Sequence, residues 1–419
     1  MRFTTVVAIG LATIGVHAEL PYPEKQPFGY EPAFGEQPMR VRKEWRQLTI
    51  PERLDYIRAV KCMHETPGIY RDLIPSSMTL FEDFAGVHKQ QTPYIHWESQ
   101  FLPWHRYFLW TWENALRKQC DYEGAIPYWD YALDAPPNNL KESPIFDPEH
   151  GFGGDGFKLK DPFYPLIPPG MPPGSGGGCQ QDGPFADWTL HIARGNLTGP
   201  RDDRCLTRSI NDKVSRDWCT RATEEVIKRQ PNYQSLYQNM QGASIQYTQY
   251  FGLHLCGHFI VAGPGAGADV YIGSTDPLFF PHHANLDRIW WEWQSKDLEK
   301  RVKDMSGPLR PPLDRFPGSN YTGFPTGDIT MDWYLDVGRL APPVRTENVM
   351  HIQRGMLNYK YTNPLAKWED GHELPLEEQT EEEKREFEKA VRVMERRWAT
   401  FKNVTWGPGG AQRSGGVWG

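Results

Sequence analysis

The chain has 419 residues and a formal net charge of −7, with no strongly basic run. That balance excludes a nucleic-acid binder held by phosphate contacts and a protein that coats anionic membranes. Aromatic residues make up 13% of it, 16 of them Trp, beside 39 Gly and 37 Pro, which specifies a loop-rich globular protein with a core of large rings and not a disordered chain.

The first eighteen residues carry Arg2, an apolar stretch and a small-x-small end at Val16-His17-Ala18. They read as a secretory signal, because the apolar run is too short to span a bilayer. No later run reaches the length of a membrane span. Residues 19–40 lack periodicity and read as an extended arm. Helical spacing begins at Pro51, in PERLDYIRAVKCMHE, with proline in the first turn. A second helix is expected from Ser76 or Ser77 to Val87, and a third from Pro103, where Trp104, Phe108, Trp112 and Leu116 recur on one face.

Residues 135–215 hold several Pro-Pro and Gly-Gly pairs and predict a structured insertion of loops. Helical patterning returns over 221–240 and 246–260, and again from Ala284 in ANLDRIWWEWQSKDLEK. A Gly-rich loop separates these last two segments. Residues 330–366 predict strands and turns, and 376–401 a charged amphipathic helix. The division expected is a signal over 1–18, one catalytic domain over 19–366, and a C-terminal helix with a flexible tail over 367–419.

Six cysteines, Cys62, Cys120, Cys179, Cys205, Cys219 and Cys256, form an even set with no C-x-x-C zinc pattern. In a secreted chain they predict three disulfides among 15 possible connectivities. Three N-glycosylation sequons, at Asn196, Asn320 and Asn403, agree with secretion.

Seven of the 13 histidines fall in two short windows: His88, His96 and His105, then His254, His258, His282 and His283. His254 and His258 are four apart, so a helix presents both rings on one face. One residue of the His282–His283 pair can complete a set of three, since neighbours on a helix point about 100° apart. In the first window His88 is expected at a helix end, His96 in a loop and His105 at the start of the next helix. All-imidazole sets suit copper, zinc or iron and not calcium or magnesium. H-E-x-x-H is absent, and with it the common zinc-protease arrangement. Two three-coordinate copper ions facing each other can together give O2 two electrons, and a bound phenol can replace them.

The strings His96-x8-His105 within FLPWHRYF, His254-x3-His258, and DPLFFPHHANLDRIW resemble the signatures of the tyrosinase and catechol oxidase family of type 3 copper proteins. The resemblance covers roughly residues 40–366 and is nearest to the short secreted polyphenol oxidases of filamentous fungi, where DFAGVH also occurs. It implies a mainly α fold: a central four-helix bundle holding a dicopper centre, with long loops and a few short strands. It implies two copper ions as cofactors, copper A on His88, His96 and His105, and copper B on His254, His258 and His283. His283 is preferred to His282 because the family uses the second histidine of the pair. His64, 24 residues before His88, is the rival for the first position.

Phe101 and Phe279, each four residues before a ligand, are expected to pack on ligand rings, with His282 close behind them. Asp287 is expected either to accept a hydrogen bond that orients a ligand or to pair with Arg288. Leu255, Phe259 and Val270 would form an apolar mouth, or else core. Tyr359-Lys-Tyr361 resembles the tyrosine motif that closes the family's domain, with Arg42 as its partner. The resemblance implies Cys62–Cys120 and Cys179–Cys205 pairs, which leaves Cys219 with Cys256.

Two departures stand out. Many fungal relatives place a cysteine two residues before the second ligand and link it to that histidine; here the position is Tyr94. Members that hydroxylate monophenols well often have Asn after the first copper B ligand; here it is Leu255, which has no hydrogen-bonding group. The expected protein is thus a secreted, monomeric oxidase of o-diphenols using O2, with weak monophenol hydroxylation. The alternatives are an oxidase of o-aminophenols or lignin-type methoxyphenols, a non-catalytic O2-binding dicopper protein, a zinc hydrolase, and a secreted binding module without metal. No nucleic-acid or membrane partner is expected.

Overall fold

The structure is a computed structural model. It describes residues 38–405 apart from 161–172, 196–199, 243–250, 263–266, 268, 313–314, 317, 370–371, 374–375 and 377. The expected signal, most of the arm and the end of the tail lie outside the described residues.

Helix α1, Ile50–Glu65, opens on a capping box: Thr49 accepts from the Glu52 amide, Glu52 reaches back to the Thr49 amide, and Pro51 fills the first turn. Helix α2 runs Leu80–Ile95 and α3 Phe101–Gln119. The N-terminus of α2 is set by Thr79, whose side chain accepts from the Glu82 amide. This helix continues a full two turns past the expected stop at Val87. Pro93 falls in its last turn, where a missing N–H forfeits one bond only. His88 therefore lies inside a helix and not at its end, and His96 is the residue that ends it.

The predicted 221–240 segment divides at Pro231 into α5, Arg221–Lys228, and α6, Tyr233–Gln241, after a short α4, Asp212–Trp218. Asn232 restarts the helix by accepting from the Ser235 amide. Of the predicted 246–260 helix, α7 covers Leu253–Phe259, and 246–250 lie outside the described residues. Helix α8 spans Phe279–Ser295, earlier than expected, and a separate turn, α9, covers Leu298–Arg301.

Helices α2, α3, α7 and α8 form the centre. Their core is largely aromatic, as in the parallel stack of Trp112 on Phe280 at 3.8 Å, worth about 1 kcal/mol beyond its buried area. Strands are short and paired: Gly156–Lys158 with Gly177–Gln180, Thr189–Leu190 with Arg204–Cys205, and Tyr334–Leu335 with Val344–Arg345. Arg40–Arg42 pairs in parallel with Tyr359–Tyr361 and so joins the two ends of the domain. Disulfides link Cys62 to Cys120, Cys179 to Cys205 and Cys219 to Cys256.

The charged segment forms α10, Glu381–Thr405. It packs on α5 through buried Val391, Met394 and Trp398. Arg229 pairs with Glu388, and the Arg397 guanidinium lies 4.6 Å above the Trp218 ring. Among the described residues no helix is long and apolar enough to cross a membrane.

Candidate metal centre

Helix α2 supplies His88 and ends at His96, and the second turn of α3 supplies His105. The three rings lie 5.1 to 5.6 Å apart, and all three are buried. One ring nitrogen from each falls within 4.8 Å of the others. On the opposite side, α7 presents His254 and His258 at 4.8 Å, and α8 brings His283 to 5.3 and 5.4 Å from them. His282 joins the same group, with its ring 4.7 Å from that of His258.

The two groups face each other. His105 stacks on His283 at 4.4 Å with the planes 9° apart, and His96 on His254 at 5.5 Å. Phe101 lies 4.9 Å from His105 and 4.8 Å from His254. Phe279 lies 4.1 Å from His283 and 5.0 Å from His88. Each phenylalanine thus touches imidazoles of both groups. His64 stands apart at the end of α1, stacked on Trp188 at 4.0 Å.

Tautomers follow from the hydrogen bonds. The Nδ1 of His96 faces the Thr92 carbonyl at 2.9 Å, and that of His105 faces the Phe101 carbonyl at 2.7 Å. A carbonyl only accepts, so each Nδ1 carries the proton and each Nε2 keeps a lone pair. Burial, reinforced in most of them by neighbouring imidazoles, holds all seven rings neutral: His96 is lowered to about 4, His258 to about 3, and the others well below their usual value. His88 Nε2, His105 Nε2 and both nitrogens of His254 are buried and meet no hydrogen-bond partner among the described residues. Neutral, buried imidazoles with unshared lone pairs are the donor set a soft or borderline metal takes, and copper fits it.

Asp287 does not pair with Arg288. One of its oxygens accepts from Arg106, and the other from Tyr359 at 2.5 Å and Tyr361 at 2.6 Å, with Arg42 at 3.5 Å. Arg288 points elsewhere, to Glu224 at 3.0 Å and to Glu292, as adjacent residues on a helix must. The Tyr359–Tyr361 motif, Arg42 and Asp287 therefore form one buried knot that ties α3 to α8. Arg106 is a member that sequence reasoning missed; its position beside His105 was the available signal. Gly257 was missed too. A Cβ there would come within 2.1 Å of His282 Nδ1, so only glycine lets α8 seat that ring on α7. A glycine inside a helix between two histidines was the signal.

Leu255 and Phe259 are buried, Phe259 against Phe251 at 5.6 Å, and Val270 is half-buried. Of the six histidines expected as ligands, His258 alone is more than marginally exposed, and a Cβ at Gly273 would come within 3.3 Å of its ring. Asn320 is exposed, Asn196 lies outside the described residues, and so does the side chain of Asn403.

Residues 78–296 match the tyrosinase family, described as the common central domain of tyrosinase. The chain is 32% identical over 343 residues to tyrosinase P of Aspergillus terreus, covering 77% of this chain and 92% of that protein. It is 32% identical over 351 residues to N-acetyl-6-hydroxytryptophan oxidase of Emericella nidulans, with the same coverage. Among solved structures it resembles a variant of polyphenol oxidase from Thermothelomyces thermophila, with TM-score 0.68, 29% identity, and 78% and 89% of the two chains covered. With paired histidine groups on a helical bundle and these likenesses across most of its length, the chain belongs to the tyrosinase family and is a copper oxidoreductase.

Proposed function

We propose that this protein is a secreted polyphenol oxidase that converts o-diphenols to o-quinones, two diphenols and one O2 giving two quinones and two waters. The observation that carries the reading is the facing of two buried histidine triads, with His105 stacked on His283 across the gap. In this reading His88, His96 and His105 hold one copper, and His254, His258 and His283 the other. Bound copper supplies the electron exchange between phenol and O2.

The chain's own residues supply the rest. Neutral imidazoles keep their lone pairs toward the metals, and the fixed Nδ1 protons of His96 and His105 stop those rings from turning. Phe101 and Phe279 fill the space around the ligands and exclude water. In this reading the phenol approaches beside His258, the one ligand ring left partly exposed, and half-buried Val270 is the apolar side chain offered to a flat ring. Leu255, next to His254, presents no acceptor for a phenol proton, so the site favours diphenols, which reach the quinone without ring hydroxylation. The disulfides support secretion.

Oxygen consumption with catechol against tyrosine tests this reading. Catechol is expected to be used far faster, and equal rates would overturn the Leu255 argument. A second reading, oxidation of a hydroxyindole, is favoured by the likeness to N-acetyl-6-hydroxytryptophan oxidase; the same assay with a hydroxyindole separates the two.

A further inference from the structure

The last carbonyls of an α-helix have no partner within the helix. At the end of α2 that carries His96, side chains take them one by one. The Thr92 carbonyl accepts from His96 Nδ1 at 2.9 Å, the Pro93 carbonyl from the Tyr321 hydroxyl at 3.0 Å, and the Tyr94 carbonyl from Gln100 Nε2 at 2.5 Å. Gln100 is held in turn, its Oε1 accepting from Trp333 Nε1 at 3.0 Å.

The segment that reaches in is a small structure of its own. Leu309, Tyr321, Phe324 and Ile329 form an apolar cluster separate from the main core, with Tyr94 and Trp333 packed against it. Tyr94 meets Tyr321 edge-on at 5.4 Å and donates to the Asn320 carbonyl at 2.8 Å. The turn being held is a demanding one: Trp97, directly after His96, has φ +55, a conformation that costs a bulky residue free energy. Three carbonyl caps, one of them made by the imidazole itself, fix a turn that would otherwise relax.

We infer that Tyr321 and Gln100 are positioning residues for His96, setting the end of α2 so that its Nε2 points at the first copper site. The inference rests on the reading of His96 as a ligand. Tyr321→Phe keeps the ring in its cluster and removes the hydroxyl alone, and Gln100→Met removes both amide bonds at nearly constant volume.

The test is copper affinity of the full-length chain, by titration with a competing chelator, in two backgrounds. His258→Ala leaves the first site as the one able to hold copper, and His88→Ala leaves the second. Tyr321→Phe and Gln100→Met should each weaken copper about 10- to 100-fold in the His258→Ala background. In the His88→Ala background they should leave affinity within about twofold, while each lowers the melting temperature of the metal-free protein by the same amount in both backgrounds, because a helix-end carbonyl loses its partner in each. Equal weakening in both backgrounds, or none in either, overturns the inference. Should the two background variants fail to hold one copper each, the ligand assignment falls, and the inference with it.

Discussion

The two histidine triads are built differently. The first stands on two long helices, and two of its rings are locked by carbonyls of the same chain segment, Thr92 and Phe101. The second stands on α7, seven residues long, and on the start of α8. Helix α7 is too short to be stable alone. It is held by the Cys219–Cys256 disulfide, which anchors the residue between His254 and His258, by the Tyr131 hydroxyl on the Leu253 carbonyl at 3.1 Å, and by the close seating of His282 on Gly257. One site is thus oriented by backbone hydrogen bonds and the other by a covalent tie and packing. The same ligand set can be reached by two routes, and each route has its own point of failure.

The most severe break is removal of a ligand. His105→Ala and His258→Ala should each leave one copper per chain and reduce catechol oxidation to background, as read by metal analysis and oxygen uptake. An active variant with two coppers would refute the assignment. Next is Asp287→Asn, at the knot that joins α3 to α8. It leaves Arg106 and Arg42 buried with too little negative charge, and denaturant melts should show a loss of about 3–5 kcal/mol. Because the knot serves both helices, both coppers should weaken together.

A smaller effect, confined to the second triad, is expected from Cys219→Ser with Cys256→Ser. Loss of the tie should cost about 2–4 kcal/mol, and the copper on His254, His258 and His283 should be lost first. Loss of the first-triad copper before it would invert the comparison. The smallest effect concerns His64, a half-buried ring outside both triads, lowered by burial to about 4. Its folded value lies below its unfolded one, so stability is fully present above about 6.5 and declines as pH falls toward 4. His64→Phe should flatten that acid slope in the metal-free protein by up to about 3 kcal/mol, without changing copper content.

The comparison also separates what was readable from what was not. H-x3-H on one helix face is a local pattern, and His254 and His258 followed from it directly. The first triad has no single periodicity; its assignment leaned on resemblance, and α2 runs eight residues beyond the expected stop at Val87, through a Pro93 that sits harmlessly in its last turn. Asp287 was noticed, but its partners Arg106 and Tyr359 lie 181 and 72 positions away, a distance over which pattern carries no information. Tyr321 was invisible for the same reason, its partner Pro93 lying 228 positions away, whereas Gln100 reaches only six positions back to Tyr94 but follows no helical or strand periodicity. Leu255 and Phe259 show the limit from the other side: apolar residues beside ligands look alike whether they line a mouth or fill a core.

Anomalous scattering from crystals of the copper-loaded protein, measured on both sides of the copper edge, tests the central claim most directly. The account predicts two copper peaks per chain, one within His88, His96 and His105 and the other within His254, His258 and His283. A single peak, a zinc signal in either triad, or a metal bound at His64 would contradict it.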